Sequence, residues 1–275
     1  MSYASVIEDL TRYARTRFTA RVYLPLALFL CVAAAAGAGP GRASDFAVAM
    51  VVAYALVFQF RLWDDLADRE RDRRNHPERV LANSRSIRVF VFLLVVVFAV
   101  NLGVFVVRVD TSRVLIYLLM NGAALVWYLR LRSLVTDATA SAHVLLLKYP
   151  VIVYLLGGWF PRGSVGYLTL SMALVYLCFC IYETLHDPEL VVGRSSRLLA
   201  AEVATLVAIP TLYTLLLHRG WIAPLFQATV AVAASVVVVF LFRRRRLQAE
   251  PGLWSYTPFA VGFLQVLSMS VGAVP

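Results

Sequence analysis

Along most of the chain, apolar residues run in nearly unbroken stretches separated by short polar segments that carry the charges. Nine such stretches, at roughly 22–38, 45–63, 88–107, 112–130, 140–159, 165–185, 197–217, 222–242 and 255–273, have about the length a helix needs to cross a bilayer. The segment before them is different. Val6, Ile7, Leu10, Tyr13, Ala14 and Phe18 recur on a helical period with Arg12, Arg15 and Arg17 between them. That pattern predicts an amphipathic helix within residues 1–20, lying on the membrane surface. The first span ends in AAAAGAGPG, as cleaved signal peptides do, but a long leader containing Glu8 and Asp9 and the many later spans argue for a retained helix. Connections are short and no low-complexity linker appears, so residues 1–275 read as a single transmembrane domain.

Composition fixes the setting. With 61% hydrophobic and 15% charged residues among 275, the apolar surface is too large for one water-soluble core. The net charge of +10 invites a nucleic-acid reading, yet the arginines sit between apolar spans rather than along a recognition surface, which excludes nucleic acid as the expected partner. Arg12, Arg15, Arg17 and Arg21 precede the first span, arginines crowd residues 61–88, Arg130 and Arg132 follow the fourth span, Arg194 and Arg197 the sixth, and residues 243–246 the eighth. The alternate loops hold fewer, so the N-terminus is expected in the cytoplasm and the C-terminus outside. Cys31, Cys178 and Cys180 lie in apolar stretches without metal-site spacing and read as packing residues. A single lysine, Lys148, stands against 25 arginines and falls inside the fifth span.

One polar segment stands out. In residues 61–79, RLWDDLADRERDRRNHPER, an apolar helix ends in Asp64, Asp65, Asp68 and Asp72. Residues four apart on a helix lie only about 40° apart around its axis, so these carboxylates form one acidic stripe roughly 12 Å long. Like charges at that spacing cost a few tenths of a kcal/mol per pair, an arrangement that solubility does not require and a cation would reward. Asp65 with Arg69 and Glu70 with Arg74 do fit i,i+4 ion pairs, which keeps an ion-paired surface helix as the competing reading.

A second acidic site closes the sixth span. In CIYETLHDPEL, Glu183 and Asp187 are four residues apart on one helix face, before Pro188 stops the helix. Carboxylates at a helix C-terminus are disfavoured by the dipole, so capping alone does not account for them. The second and sixth spans run parallel, and their acidic ends are expected at the same cytoplasmic level.

The run DDLADRERD, followed by RRNHPER, resembles the first aspartate motif of the UbiA superfamily of membrane prenyltransferases, NDxxDxxxD with a trailing HPERP. The nine spans, the cytoplasmic N-terminus and the acidic end of the sixth span are similar to that family as well, so the resemblance extends over nearly the whole chain. Asp64 stands where the family has Asn, and Val80 where a proline follows Glu-Arg. The second motif is shortened, with Leu190 and Val191 in place of further acids.

The resemblance implies an all-α bundle of nine transmembrane helices around a central cavity that opens to the cytoplasm, in a multi-pass protein of the bacterial cytoplasmic membrane. It implies Mg2+, expected as two ions, held by Asp64, Asp68, Asp72, Glu183 and Asp187, with Asp65 adjacent. Magnesium takes hard oxygen ligands and neutralises charge on a departing diphosphate, which suits ionisation of an allylic prenyl diphosphate. Arg73, Arg79, Lys148 and Arg21 are the candidates for holding that diphosphate. An ammonium inside a span costs on the order of 3 kcal/mol unless paired or snorkelling, so Lys148 has either a functional or a snorkelling role. Tyr54, Tyr128, Tyr154 and Tyr182 are positioned for cation–π contact or for interfacial anchoring. The expected activity is transfer of the prenyl group to a lipophilic, aromatic acceptor. A cyclase that lets an internal alkene capture the cation, and a non-enzymatic carrier of an anionic lipid or metabolite, are the alternatives.

Overall fold

The computed structural model describes residues 3–36, 38, 41–161, 164–186, 196–217, 229, 232–233, 236 and 256–272, and every regular element among them is helical. Helix α1 (Tyr3–Thr16) leads into α2 (Ala20–Ala35) through a bend of 61°. Helix α1 keeps Ile7 exposed and inserts Tyr13 edge-on against Phe90, with centroids 5.4 Å apart. It is further tied down where Ser84 Oγ donates to Asp9 at 2.6 Å.

Helix α2 buries Ala27, Leu30, Cys31, Ala33 and Ala34. Such small side chains let backbones approach closely in the absence of a hydrophobic drive between helices in lipid. The neighbour it packs against is α3 (Ala43–Ala67). At 1.5 Å per residue its 25 residues reach about 37 Å, more than the roughly 30 Å hydrocarbon core, and Asp64 and Asp65 stand in its last turn.

The short helices α4 (Arg69–Asn75) and α5 (Val80–Asn83) then fold back under the bundle. Beyond them stand α6 (Ile87–Arg108) and α7 (Thr111–Val126), the latter continued by one π-helical turn, Trp127–Leu131. Helices α8 (Ala138–Leu146) and α9 (Lys148–Leu156) form one span broken at Leu147. Pro150, in the first turn of α9, has no N–H to donate back across the break, which accounts for it. Helices α10 (Val165–His186), α11 (Ser196–Leu217) and α12 (Thr257–Gly272) complete the described bundle.

Among the described residues five helical stretches are long and apolar enough to cross a membrane, Ala43–Ala67, Ile87–Arg108, Thr111–Leu131, Ala138–Trp159 and Val165–His186, and the bent α1–α2 pair would be a sixth. These five fall on the expected spans at 45–63, 88–107, 112–130, 140–159 and 165–185, and the bent pair covers 22–38; the expected spans at 197–217 and 255–273 are helical but hold only the shorter apolar stretches Leu198–Leu212 and Thr257–Leu267, and most of 222–242 lies outside the described residues. Outward-facing Phe92, Val95, Val100, Leu119 and Leu129 give α6 and α7 an apolar exterior suited to lipid.

Mid-span, the same bundle closes over a neutral polar cluster. Gln59 of α3 is fully buried; its amide donates to Asn121 Oδ1 at 2.6 Å and accepts from Asn101 at 2.9 Å and from the Tyr117 hydroxyl at 2.8 Å. Asn121 in turn donates to the Tyr117 carbonyl at 2.8 Å. Helices α3, α6 and α7 are thereby locked in one register, since a buried polar group left without a partner is costly in a low dielectric. At the other side of the bundle Gly262 of α12 lets backbone meet side chain: a Cβ there would lie 2.4 Å from Cys178 Sγ.

Candidate active site

The acidic stripe survives a break in its own helix. Helix α3 ends at Ala67 and Asp68 is its cap, yet Asp68 N donates to Asp64 O at 2.9 Å, Asp72 N to Asp68 O at 2.8 Å and His76 N to Asp72 O at 2.7 Å. The i to i−4 ladder therefore passes through the turn, and residues 64, 68 and 72 keep the one-face register expected of them.

The carboxylates themselves fan out, each to bases delivered by a different part of the chain. Asp64 accepts from Lys148 Nζ on one oxygen and from the Tyr128 hydroxyl on the other. Asp65 takes Arg17 at 2.5 Å, Arg61 at 3.3 Å and the Tyr13 hydroxyl at 3.0 Å. Asp68 pairs with Arg132, and Asp72 with Arg79 at 2.5 Å. The two i,i+4 pairs expected from the sequence are replaced: Arg69 donates to the Leu81 carbonyl and Arg74 to the backbone of Glu70, while the local pairs that form are Arg61 with Asp65 and Arg73 with Glu70.

Exposure sorts the four aspartates into two kinds. The side chains of Asp65 and Asp72 are 6% and 5% exposed, those of Asp64 and Asp68 19% and 30%. Asp65 fastens the α1–α2 junction to α3, and Asp72 fastens the loop at Arg79; both are ion pairs that hold chain segments together. Asp64 and Asp68 reach the accessible side, together with Lys148, Arg132 and Tyr128. The π-helical turn explains two of those partners, because its extra residue per turn re-aims Tyr128 and the arginine beyond it toward α3.

Of the residues expected to hold an anion, Lys148 and Arg79 lie on the stripe. Arg73 lies beside it, donating to the Ala82 carbonyl at 3.3 Å and pairing with Glu70 at 3.1 Å, while Arg21 is exposed in the first turn of α2. Glu183 is half-buried near the end of α10, and Asp187 lies outside the described residues. Glu183 stands on α10, Asp64 on α3 and Tyr23 on α2, and all three helices pack against α9, which carries Tyr149. Helices α2, α3, α9 and α10 thus bring Tyr23, Asp64, Tyr149 and Glu183 into one neighbourhood.

The wall of that neighbourhood is aromatic. Lys148 Nζ stands 5.6 Å from the Tyr149 ring centroid, Tyr149 stacks on Phe179, and Phe179 meets Phe259 edge-on at 4.9 Å. Tyr182 adds stacked contact with His186 at 5.1 Å and a tilted one with Phe259 at 5.1 Å. Of the other tyrosines, Tyr54 packs on Phe18 and Tyr154 lies under Arg113.

Sequence reasoning counted Arg17, Arg61 and Arg132 only as surface-helix or topology charges and Tyr13 only as part of the amphipathic helix, and paired none of them with the stripe. No spacing rule links positions 17, 65 and 132; the signal available was the excess of arginine on the same side as the stripe. Comparison with protein-family models, with curated proteins and with solved structures returned no match.

Proposed function

We propose that the chain is a Mg2+-dependent membrane enzyme that ionises an allylic prenyl diphosphate and transfers the prenyl group to a lipophilic, aromatic acceptor. The observation that carries this reading is the pairing of accessible acids with accessible bases, Asp64 with Lys148 and Asp68 with Arg132, beside an aromatic wall. A metal–diphosphate complex is itself an alternation of positive and negative charge. Acids released from their bases would take the metal, and the bases so freed would take phosphate oxygens.

The donor chemistry fits magnesium. Among the described residues the stripe gathers no three carboxylates around one point, and magnesium does not ask for that. It binds through one or two carboxylates together with substrate phosphates and retained waters. Asp64 and Asp68, with Glu183 and Asp187 from the other half, would hold it, while Asp72 stays paired with Arg79; bound there, it would neutralise the charge that accumulates on the leaving diphosphate.

Lys148 and Arg132 would orient the diphosphate so that its bond to the prenyl C1 points at Tyr149 and Phe179. In the reaction the C1–O bond breaks with its electron pair leaving on the diphosphate, and π electrons of the acceptor form the new bond to C1, followed by loss of a ring proton. The aromatic faces would stabilise the allylic cation and exclude water from it.

Full-length chain in lipid nanodiscs, given geranyl, farnesyl or geranylgeranyl diphosphate with a hydroxybenzoate acceptor, is expected to release diphosphate and form a prenylated aromatic only when Mg2+ is present. Omitting the acceptor separates the readings: a cyclic hydrocarbon or alcohol formed at full rate would replace transfer by cyclisation. Absence of diphosphate release from all three substrates would overturn the enzyme reading.

A further inference from the structure

We propose that His143, Cys180 and Glu202 form a second metal site, suited to a zinc-class divalent ion, that joins α8, α10 and α11 and is separate from the acidic stripe. Their ligand atoms lie within 4.8 Å of one another although the three residues come from three different helices. Cys180 Sγ is 3.2 Å from His143 Nδ1, and a carboxylate oxygen of Glu202 is 3.5 Å from the other ring nitrogen. The Tyr176 hydroxyl, one turn before Cys180, lies 3.0 Å from His143 Nδ1 and offers an oxygen as a fourth ligand. Bond lengths of about 2.0–2.3 Å place the ligand atoms of a tetrahedral zinc roughly 3.5 Å apart. An imidazole coordinates through one nitrogen, so closing on an ion requires the Glu202 carboxylate, which stands beside Nε2, to reach the Nδ1 side where Cys180 and Tyr176 stand, or the ring to turn.

Depth supports the same conclusion. His143 is five residues from the start of α8, Cys180 six from the end of α10 and Glu202 six from the start of α11. Counted along the helices, all three stand roughly 7.5–9 Å in from the same end of the bundle. Cys180 and Glu202 are buried and His143 half-buried, so the imidazole forms the open side. Packing does not require this arrangement: thiol, imidazole and carboxylate on one level of an apolar bundle are polar groups where lipid-facing helices need none.

The donor set selects the metal. A thiolate and an imidazole disfavour magnesium and calcium and suit zinc, with a carboxylate as a common third ligand. Binding would displace the thiol proton to solvent and leave a thiolate on the ion. The consequence is a staple: α10 would be pinned to α8 and α11 one helical turn before Glu183, without any part in the diphosphate chemistry.

Purified full-length chain, stripped of metal and titrated with zinc and with cobalt, provides the test. About one equivalent of zinc should bind, and cobalt should give the intense thiolate-to-metal charge-transfer absorption that only sulfur ligation produces. Cys180→Ser should abolish that absorption, and His143→Ala should weaken zinc binding by more than about tenfold. Cys178→Ser and Asp64→Asn should leave both unchanged, which separates this site from the stripe. Failure of the wild-type chain to bind zinc, binding without the charge-transfer band, or loss of the band in Cys178→Ser would each overturn the proposal, whatever the outcome of the prenyl diphosphate assay.

Discussion

Helix α3 carries two polar clusters less than two turns apart, and they are built on opposite plans. Around Gln59 the groups are neutral, fully enclosed and satisfied by one another, with Asn101, Tyr117 and Asn121 all closing on one amide. From Asp64 onward the groups are charged, and each acid is matched by a base that arrives from elsewhere in the chain. A neutral closed network has no vacancy to offer a ligand and serves to fix helix register. An ion pair with one accessible face can exchange its partner for a ligand of the same sign. The stripe contains both kinds within nine residues: Asp65 and Asp72 behave as buried fasteners, Asp64 and Asp68 as exchangeable pairs.

The largest expected effect breaks a fastener. Asp65→Ala would strand Arg17, Arg61 and the Tyr13 hydroxyl at a buried position, and removing one member of a buried pair costs about 3–5 kcal/mol. Thermal unfolding in detergent should show that loss, with Asp65→Asn recovering part of it because an amide still accepts from Tyr13. Were Asp65→Ala to unfold at the wild-type temperature while losing diphosphate release, the division between fasteners and exchangeable acids would be wrong.

The complementary variant is Asp68→Asn. Its partner Arg132 is itself partly exposed, so solvent screens the freed guanidinium and stability should change little. Diphosphate release should instead fall by about a hundredfold or more, the size of losing one preorganised electrostatic contact to a transition state. Asp64→Asn should lose rate to a similar extent but also lose stability, because its partner Lys148 is only 11% exposed and would be left unpaired inside its span. A rate within twofold of wild type in both variants would remove the stripe from the proposed chemistry.

Gln59→Leu tests the neutral cluster. It would leave Asn101, Asn121 and Tyr117 short of a buried partner, at about 1–2 kcal/mol, without altering the rate of diphosphate release per folded molecule. A large change in rate with unchanged unfolding temperature would mean that the mid-span cluster belongs to the site after all.

How much of this was legible beforehand follows from the range of each interaction. Five of the spans were, with the bent α1–α2 pair a sixth, because about 20 apolar residues in a row specify a helix in lipid with little help from the rest of the chain. The four-residue spacing of 64, 68 and 72 was too, since helical periodicity is local and the bonds from Asp68 N to Asp64 O and from Asp72 N to Asp68 O keep it across the break. The partners were not. Arg17 and Asp65 are 48 positions apart, and Asp64 is 64 from Tyr128, so these pairings exist only once α1, α3 and α7 have packed. The π-helical turn that re-aims Tyr128 leaves no mark in WYLRL that a periodicity reading detects. Cys180 was read as packing because its neighbours in sequence are apolar, while the imidazole beside it is 37 positions away. The break at Leu147 needed attention to Pro150 as a missing donor in what otherwise scans as one continuous span.

The smallest expected effect uses a carboxylate that is neither fastener nor exchangeable. Asp110 caps α7, accepting from Arg113 N at 3.1 Å, and also binds the Ser112 hydroxyl and the Arg113 guanidinium, all within three residues and in solvent. Those hydrogen bonds, Ser112 first among them and then the backbone N–H and side chain of Arg113, hold its carboxyl below the ordinary value of 3.8, at about 2. A depressed folded-state value means that the ionised form is favoured by folding. Its contribution is therefore fully present above pH 3.8 and is lost as the pH falls toward about 2. Asp110→Asn keeps a capping acceptor and removes only the charge. The stability difference between wild type and this variant should be flat above pH 3.8, shrink below it and vanish near pH 2. Because the pair is exposed, added salt should reduce the difference as well, whereas the loss caused by Asp65→Ala should resist salt. A salt-sensitive Asp65 would place that residue with the solvated pairs and collapse the distinction on which α3's two kinds of aspartate rest.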